Sequence, residues 1–224
     1  MYNYIKRFID VIFSLIIITI FSPFGIFIVL ILKFTGEGEI FYRQSRVGRY
    51  GADFSLLKFA TMIINSPNIG AGDITIKNDP RVLPFGKFLR KMKLNEFPQF
   101  INVLIGDMSL VGPRPLVRNQ HDMFPLATIK IVERLKPGIT GIGSIIFRDE
   151  EKYFHLEKEN ANRFYKDEIV PYKATLECWY EENESFFIDI LLILTTIFIV
   201  VLPGINVHKY FFRDLPKHPL FNPE

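Results

Sequence analysis

Long apolar stretches occur at two places in the chain, one near each end. Residues 11–32 read VIFSLIIITIFSPFGIFIVLIL and contain no charge. As a straight helix this stretch would extend about 33 Å, which is enough to cross a bilayer core of about 30 Å. Residues 190–202, ILLILTTIFIVVL, are too short for a comfortable span and predict a buried or interfacial helix.

The first apolar stretch is interrupted at Ser22-Pro23. A proline inside a helix removes one backbone hydrogen bond and kinks the helix, and the Ser22 hydroxyl can bond a carbonyl that this frees. Basic residues flank the stretch at both ends, with Lys6 and Arg7 before it and Lys33 after it. Because positive residues mark the cytoplasmic side, the segment is either a bent helix that enters and leaves by one leaflet or an ordinary span with a kink.

The middle of the chain contains short patterns of different period. Two apolar and aromatic runs on either side of a turn-like segment, 48–53, predict a β-hairpin. Residues 63–80 are rich in Asn, Gly, Pro and Asp and predict a loop. A spacing of i, i+3, i+4 and i+7 then predicts an amphipathic helix. Its predicted buried stripe consists of Phe85, Phe88, Leu89 and Met92.

A second helix is predicted directly after this one. Asn95 has the residue type of an N-cap, Pro98 is tolerated in a first turn, and Gly106 is suited to end the helix. The predicted buried stripe of this second helix consists of Phe97, Ile101 and Leu104.

The last third of the chain contains one more amphipathic pattern. Residues 137–141, PGITG, predict a turn-rich loop. Apolar residues from Tyr165 to Trp179 then recur at spacings of four and three, which predicts a helix that faces either a core or a bilayer surface. The tail from Pro203 is proline-rich and is expected to be irregular.

Composition and charge narrow the class of protein only slightly. The 224 residues carry a formal net charge of +3, and the single cysteine, Cys178, excludes an intrachain disulfide and agrees with a reducing compartment. Basic residues cluster at 43–49 and at 81–93, which suits phosphate groups or anionic lipid, although charge runs are also typical of solvated helix faces. Stacking aromatic residues are not interleaved with these clusters as in a nucleic-acid-binding module, so we expect no nucleic-acid partner.

Three residues point to phosphate chemistry. A helix that began at Asn95 would present free backbone amides to an anion. Glu96 is either a first-turn acid that favours the helix dipole or one ligand of a Mg²⁺ ion shared with two phosphates. Arg114, which stands between two prolines on a stiff backbone, can bind a phosphate bidentately. The chain contains neither GxxxxGK[ST] nor GxGxxG, so a nucleotide-sugar would have to be bound in another way.

Several motifs, in consistent order from about residue 4 to residue 202, resemble those of the monotopic phosphoglycosyl transferases. These are bacterial sugar transferases that start glycan assembly on undecaprenyl phosphate. The motifs are Lys6-Arg7-x-x-Asp10, Ser22-Pro23, FYRQSRVGR (41–49), KFATM (58–62), DPRVLPFGKFLRK (79–91), NEFPQFINVLIGDMSLVGPRP (95–115) and PGITG (137–141).

The resemblance implies a fold and a division of the chain. It favours a re-entrant membrane helix broken at Ser22-Pro23 over residues 1–33, a catalytic domain at the cytoplasmic face over 34–202, and a proline-rich tail over 203–224. The expected class is α+β and mostly helical, with a small β-hairpin and amphipathic interfacial helices and without a Rossmann sheet. The expected location is the bacterial inner membrane, with a homo-oligomer as one option.

The resemblance also implies a reaction. Members of the family transfer a sugar phosphate from a UDP-sugar to a polyprenyl phosphate and release UMP, with Mg²⁺ as cofactor. In an Asp-Glu pair, the aspartate attacks the β-phosphorus and the glutamate helps to bind the metal. Carried over residue by residue, the catalytic positions are Asn95 and Glu96, with Glu96 as the metal ligand. The positions expected to bind substrate phosphates are Lys58, Arg90 and Arg114, and Lys58 begins a KFA sequence where the family has KFR.

This sequence departs from the family pattern at the nucleophile. Asn95 replaces the aspartate, and a neutral carboxamide is a poor nucleophile towards phosphorus. One interpretation is that the lipid phosphate attacks directly. A second is that another carboxylate takes the role, namely Glu96, Asp107 or Asp149. A third is that the chain is a catalytically silent membrane-bound partner in glycan assembly.

Overall fold

The structure is a computed structural model that describes residues 2–69, 79–148, 150, 161–202 and 208–221. These residues are mostly helical, with one two-stranded β-hairpin and one two-stranded parallel pair, and they include no Rossmann-like sheet. The predicted fold class is therefore confirmed over the described ranges. The chain divides into two compact units. The first unit contains Met1–Asp10, Arg46–Phe54 and Asp107–Glu224, and the second contains Val11–Ser45 and Ser55–Gly106.

The N-terminal apolar stretch forms one long helix, α1, over Tyr2–Phe34, and the helix continues through Pro23. Because Pro23 has no N–H, the carbonyl of Thr19 lacks its helical donor, and the Ser22 hydroxyl donates to that carbonyl instead at 2.8 Å. This contact confirms the role predicted for Ser22. Among the described residues, α1 is the one helix that is long and apolar enough to cross a membrane.

The first unit contains a parallel pair of short strands, β3 (Ser109–Val111) and β4 (Gly138–Thr140). The prediction of a loop at 137–141 was wrong, because β3 supplies backbone partners that the local sequence does not reveal. Gly138 is required for this approach, since a Cβ there would lie 2.1 Å from the backbone nitrogen of Gly112.

Helices of the first unit surround a core that includes Ile169, Tyr172 and Leu176, so the amphipathic pattern at 165–179 faces a core. A π-helical turn, Tyr165–Ile169, lies directly before the helix Val170–Asn183. The helices described in this unit are α4 (Arg118–His121), α5 (Leu126–Val132), α6 (Ile142–Ile146), α7 (Ala161–Phe164), α8 (Val170–Asn183), α9 (Phe186–Val201) and α10 (His208–Phe211).

Helix α9 contains the second apolar stretch of the sequence. It buries Leu192, Thr195 and Ile199 along one stripe. Large apolar side chains on its other faces are exposed, as expected for a helix that contacts both a core and lipid. Exposed examples are Phe187, Leu194, Ile197, Phe198 and Val201.

Lys6 and Asp10, two residues of the first family motif, anchor the start of α1 within the first unit. Lys6 Nζ lies 2.8 Å from Asp189 Oδ2 and donates to the Tyr180 hydroxyl oxygen at 2.7 Å. Asp10 Oδ1 accepts a hydrogen bond from the N–H of Leu110 at 2.9 Å. Buried polar groups need such partners, so the motif has a structural role in joining the start of α1 to α9 and β3.

The C-terminal tail was predicted to be irregular, but part of it packs in the first unit. It contains α10, and the Tyr172 hydroxyl donates to the carbonyl of Pro216 at 2.7 Å. Its buried side chains include Phe212, Leu215 and Phe221. Residues 203–207 and 222–224 lie outside the described residues.

The predicted β-hairpin is confirmed, with strands β1 (Phe41–Val47) and β2 (Asp53–Phe59). Most of both strands belongs to the second unit. In the loop predicted at 63–80, Ser66–Asn68 forms a 3₁₀ turn, and residues 70–78 lie outside the described residues.

The two helices predicted after the hairpin are present in the second unit as α2 (Pro84–Lys91) and α3 (Gln99–Ile105), but their buried faces differ from the prediction. On α2, Phe88 is 50% exposed and the following Met92 is 54% exposed. The buried residues of α3 are Gln99, Asn102 and Val103 rather than the predicted Phe97, Ile101 and Leu104.

Asn102 explains the altered face of α3. Its side chain accepts a hydrogen bond from the N–H of Leu57 at 3.0 Å and donates to the carbonyl of Ser55 at 2.8 Å. A buried amide that pairs with the backbone of β2 turns this side of the helix inward, although its sequence is polar. The predicted end of the helix at Gly106 is confirmed by a left-handed conformation with φ 101°.

Candidate active site

Asn95 and Glu96 lie on a 3₁₀ turn, Leu94–Glu96, between α2 and α3. Lys93 precedes this turn in the left-handed conformation with φ 57°, which redirects the chain after α2. Asn95 is 9% exposed, whereas Glu96 is half-buried. The carboxylate is therefore the more accessible group of the pair.

The prediction that Asn95 caps a helix is wrong. Helix α3 begins only at Gln99, with Pro98 in the cap position. The amides of Glu96 and Phe97 donate within the turn to carbonyls three residues earlier, at 3.4 and 3.1 Å, and Pro98 has no N–H to offer. This turn therefore lacks the row of free amides that binds anions at a helix start, and side chains have to supply the positive charge.

Apolar packing fixes the turn on both sides. A core cluster of the second unit combines buried Ile28, Leu32, Phe59 and Leu89 with partly buried Phe21, Leu94 and Phe97. The cluster includes both residues that flank the Asn95-Glu96 pair. It also includes Phe59 and Leu89, which adjoin Lys58 and Arg90 in the sequence. Lys58 and Arg90 are the other predicted site residues of this unit. One core therefore brings together the elements that carry all four residues.

The Ser22-Pro23 step of α1 directly follows a residue that packs on the same turn. The ring of Phe21, immediately before Ser22-Pro23, stacks on the ring of Phe97 with centroids 3.6 Å apart and an interplanar angle of 27°. Phe97 directly follows Glu96 in the chain. A stacked aromatic pair adds about 0.5–1.5 kcal/mol to the burial of its rings. One packing contact therefore links the part of α1 next to Ser22-Pro23 to the turn that carries Glu96.

Arg90 and Lys58 supply positive charge in this unit, and both are half-buried. The Nη1 atom of Arg90 lies 3.4 Å from Thr61 Oγ1. Helix α2 approaches this segment closely at Gly86, where a Cβ would lie 2.2 Å from the carbonyl oxygen of Thr61. The helix that carries Arg90 is thereby fixed against the segment that follows Lys58.

Arg114 belongs to the first unit, and hydrogen bonds fix the backbone carbonyl on either side of it. The carbonyl of Pro113 accepts from an N–H of β4 at 2.8 Å, and the carbonyl of Pro115 accepts from the guanidinium of Arg46 at 3.0 Å. The exposed Arg114 side chain is therefore presented on a rigid backbone.

The first unit also contains a contacting group of Glu150, Tyr165 and Lys173, on which Arg114 and Arg46 act electrostatically. Lys173 Nζ lies 2.8 and 2.9 Å from the carboxylate oxygens of Glu150. Burial, together with Glu150, raises the pKa of Tyr165 to about 12, while Arg114 and Arg46 oppose the rise. Both guanidinium groups influence the Tyr165 hydroxyl, and arginine is a residue type that suits a phosphate or diphosphate.

Glu177 lies one helical turn after Lys173 on α8 and is 5% exposed. Burial raises the pKa of Glu177 to about 7, although Lys173 and the N–H of Arg114 oppose the rise. The sequence patterns did not reveal Lys173 and Glu177 as candidate site residues. Their i, i+4 spacing was the available signal, but charges at this spacing usually mark a solvated helix surface.

The described residues contain no group of three or more His, Cys, Asp or Glu side chains that could bind a metal by itself. Mg²⁺ is usually bound by one or two carboxylates together with substrate phosphates and water. The single half-buried carboxylate of Glu96 fits that kind of site. Of the other carboxylates considered as nucleophiles, Asp107 is half-buried in the first unit, and Asp149 lies outside the described residues.

The predicted site residues are thus divided between the two units. Asn95, Glu96, Lys58 and Arg90 belong to the second unit together with Ser22 and Pro23, and Arg114 belongs to the first.

Comparison with known proteins identifies a family across most of the chain. The sequence model of the family described as bacterial sugar transferase matches residues 1–203. The exopolysaccharide production protein ExoY of Rhizobium meliloti (strain 1021) is 32% identical over 206 residues, which cover 86% of this chain and 83% of that protein.

Longer relatives carry names that state a reaction. The UDP-N-acetylgalactosamine-undecaprenyl-phosphate N-acetylgalactosaminephosphotransferase of Aeromonas hydrophila is 34% identical over 198 residues, covering 88% of this chain and 43% of that protein. The undecaprenyl-phosphate galactose phosphotransferase of Salmonella typhimurium (strain LT2) is 33% identical over 214 residues, covering 89% of this chain and 41% of that protein. This chain therefore spans less than half the length of these two relatives.

Proposed function

This chain belongs to the bacterial sugar transferase family, and we propose that it transfers a sugar 1-phosphate from a UDP-sugar to a polyprenyl phosphate such as undecaprenyl phosphate. In this reaction, an oxygen of the lipid phosphate forms a bond to the β-phosphorus of the UDP-sugar. The bond between the β-phosphorus and the bridging oxygen breaks, and that oxygen leaves with UMP. The names of two similar proteins state this type of transfer to undecaprenyl phosphate, which supports the proposal.

The observation that supports the proposal most is the stacking of Phe21 on Phe97. A polyprenyl phosphate keeps its chain in hydrocarbon and its phosphate at the membrane surface, so the residues that receive the phosphate have to lie near the head groups. The contact connects an apolar helix, next to its Ser22-Pro23 step, to the turn that carries Glu96. On this basis we propose that α1 is re-entrant, with both ends at the cytoplasmic face of the inner membrane.

We propose roles for the side chains from their charge and exposure. Lys58, Arg90 and Arg114 bind substrate phosphates, because phosphoryl transfer depends mainly on positioning and on neutralising charge. Glu96 would hold Mg²⁺, which when bound supplies positive charge between the phosphate oxygens. Neither role requires a row of free backbone amides, which the turn lacks.

For the attack itself, we propose that the lipid phosphate is the nucleophile. It is already an anion and needs no general base, whereas Asn95 is neutral and 9% exposed. Intact-mass measurement of the wild-type chain incubated with a UDP-sugar, without lipid, should show no phosphosugar adduct. An adduct on Glu96 would instead make that carboxylate the nucleophile. The Asn95→Asp variant is the matched control, since a carboxylate at this position can form a phosphoryl intermediate.

Release of UMP is the direct test of the reaction. The purified full chain, incubated with undecaprenyl phosphate, Mg²⁺ and a panel of UDP-sugars, should release UMP from at least one of them. Omission of the lipid phosphate should abolish release. If no UDP-sugar in the panel yields UMP above the lipid-free control, the proposed reaction is wrong.

Asn95 also supports a second candidate function, a catalytically silent membrane-bound partner in glycan assembly. The same assay separates the two functions. A silent wild-type chain whose Asn95→Asp variant releases UMP would have an intact substrate site without a nucleophile, and would establish the second function. A wild-type chain that releases UMP excludes it.

A further inference from the structure

The backbone on the two sides of Arg114 is fixed in different ways. Before Arg114, main chain lies directly against main chain: the N–H of Gly112 donates to the carbonyl of Thr140 at 2.9 Å, and the N–H of Gly138 donates to the carbonyl of Pro113 at 2.8 Å. A Cβ on Gly138 would lie 2.1 Å from the backbone nitrogen of Gly112, so this approach leaves no room for a side chain. Backbone contacts with β4 therefore hold the near side of the segment.

After Arg114, a side chain supplies one of the hydrogen bonds. The Nη1 atom of Arg46 donates to the carbonyl oxygen of Pro115 at 3.0 Å, and the N–H of Val47 donates to the carbonyl of Leu116 at 2.9 Å. Pro115 is buried, and a buried carbonyl needs a donor. The hold on the first carbonyl after Arg114 can therefore be removed by a point mutation.

Arg46 belongs to the basic cluster at 43–49, whose arginines differ in their surroundings. Side chains of β1 alternate between the two faces of the strand, so that Arg43 is exposed and Arg46 is half-buried. The Nε atom of Arg49 donates to the carbonyl of Arg134 at 2.7 Å. Arg46 and Arg49 thus each support the backbone of a different segment, which a solvated run of charge does not do.

We propose that Arg46 is a positioning residue for Arg114: by holding the carbonyl of Pro115, its guanidinium keeps the Pro-Arg-Pro backbone in the conformation that presents the Arg114 side chain to a nucleotide diphosphate. A charged donor forms a stronger hydrogen bond to a carbonyl than a neutral donor does. The proposal rests on the proposed function for the identity of the ligand.

The two prolines make Arg114 sensitive to this contact. Each proline ring fixes its own φ, and a residue that precedes a proline is restricted to extended conformations. The chain between the bonded carbonyls of Pro113 and Pro115 therefore has little slack to absorb a displacement at one end. A displacement of about 1 Å in a group that orients a substrate can cost on the order of a hundredfold in rate.

Direct contact between Arg46 and the phosphates is the alternative, and it makes the opposite predictions. Replacing a direct ligand leaves the ligand-free backbone unchanged, and its effect adds to that of replacing Arg114. Replacing a positioning residue loosens the backbone even without ligand, and it has little further effect once the Arg114 guanidinium is gone.

The first experiment requires no substrate. Hydrogen–deuterium exchange of the full chain in detergent is followed by mass spectrometry in peptides that cover residues 111–117. Exchange should be faster in Arg46→Met than in the wild type. The matched control Arg49→Met loses the same charge and a similar bond to a carbonyl, and should exchange as the wild type does. If Arg46→Met does not fold, Arg46→Gln, whose amide is shorter than a guanidinium, replaces it. Unchanged exchange in the Arg46 variant, or an equal rise in Arg49→Met, overturns the proposal.

The second experiment measures UDP affinity by calorimetry. Arg46→Met should bind UDP roughly tenfold more weakly than the wild type, and Arg46→Lys, which keeps the charge and a donor, should recover most of the loss. Arg49→Met should stay within about twofold of the wild type. In an Arg114→Met background, Arg46→Met should add less than about a twofold change. An equal loss in both backgrounds, or no loss in either, overturns the positioning role.

The two experiments separate this proposal from the proposed function. If exchange and UDP affinity change as expected but no UDP-sugar yields UMP, the proposed reaction fails and the role of Arg46 stands. If UMP is released but exchange in Arg46→Met equals that of the wild type, the role of Arg46 fails and the reaction stands.

Discussion

Two regions carry residues that we propose bind the substrate or its metal ion, and a different kind of interaction fixes the backbone of each region. The Asn95-Glu96 turn in the second unit is fixed by apolar packing on both sides, including the stacked rings of Phe21 and Phe97. The segment around Arg114 in the first unit is fixed by hydrogen bonds that the carbonyl groups of Pro113 and Pro115 accept, one from the backbone of β4 and one from the side chain of Arg46.

The difference explains what each region tolerates. The turn takes no support from a charge at position 95, so asparagine in place of aspartate leaves its packing in place. The Arg114 segment depends on hydrogen bonds to its two flanking carbonyl groups, so it is sensitive to the loss of a single donor such as Arg46. Four predictions test this contrast, in order of decreasing effect.

Glu96→Gln should strongly reduce catalytic activity while the turn keeps its conformation. Loss of the carboxylate that would hold Mg²⁺ should reduce kcat by on the order of 10³, equivalent to about 4 kcal/mol of activation free energy. UMP release measures the loss. The free energy of unfolding should change by less than about 1 kcal/mol, since Glu96 is not part of the apolar core. Glu39→Gln, an exposed acid of the same unit, is the control and should keep full activity. Equal losses in both variants would contradict the role of Glu96.

Phe97→Ala should show that the turn depends on apolar packing. It removes the ring stacked on Phe21 and should lower the free energy of unfolding by about 3 kcal/mol. Denaturation in detergent measures the change. Phe88→Ala, on a ring that is 50% exposed, is the matched control and should cost less than about 1 kcal/mol. If the two substitutions cost the same, the packing of Phe97 is not what fixes the turn.

Glu177→Gln should change the pH dependence of stability. The folded pKa of Glu177 is raised from 4.5 to about 7, so its full contribution is present below about pH 4.5 and is lost as the pH rises to about 7. The wild type should therefore lose on the order of 3 kcal/mol across this window from Glu177 alone. Glu177→Gln should lack this component, which unfolding measurements at a series of pH values detect. An unchanged pH profile in the variant would mean that Glu177 does not ionise differently on folding.

Arg118→Ala should have the smallest effect. Arg118 forms an ion pair with Asp53 at 2.6 Å in the first unit, but both side chains are about half exposed. Solvent and salt screen such pairs, so the free energy of unfolding should change by less than about 1 kcal/mol. A larger loss would show that exposed charge pairs, and not only buried ones, stabilise this unit.

Sequence patterns predicted the elements whose formation depends on local residues. The apolar run of α1, the hairpin around residues 48–53, helix α2 and the stop at Gly106 are all present. The bond from Ser22 to the carbonyl freed by Pro23 was also predicted, because donor and acceptor lie within one helical turn.

The failures depend on partners that are distant in sequence. β4 was taken for a loop because its partner, β3, lies far back in the chain. Asn102 was not expected to be buried, since its partners lie on β2. The N-cap prediction at Asn95 failed because the chain first forms a 3₁₀ turn between two packed helices.

By itself, the sequence determined the family, the apolar helices and the residue types that suit phosphate chemistry, because composition, periodicity and motifs are properties of neighbouring residues. The tertiary structure alone decided that Glu177 is buried and that Phe97 stacks on Phe21, the residue of α1 directly before Ser22-Pro23. Burial and hydrogen bonding between distant segments set the ionisation of a carboxyl group and the support of a turn, and neither follows from local pattern.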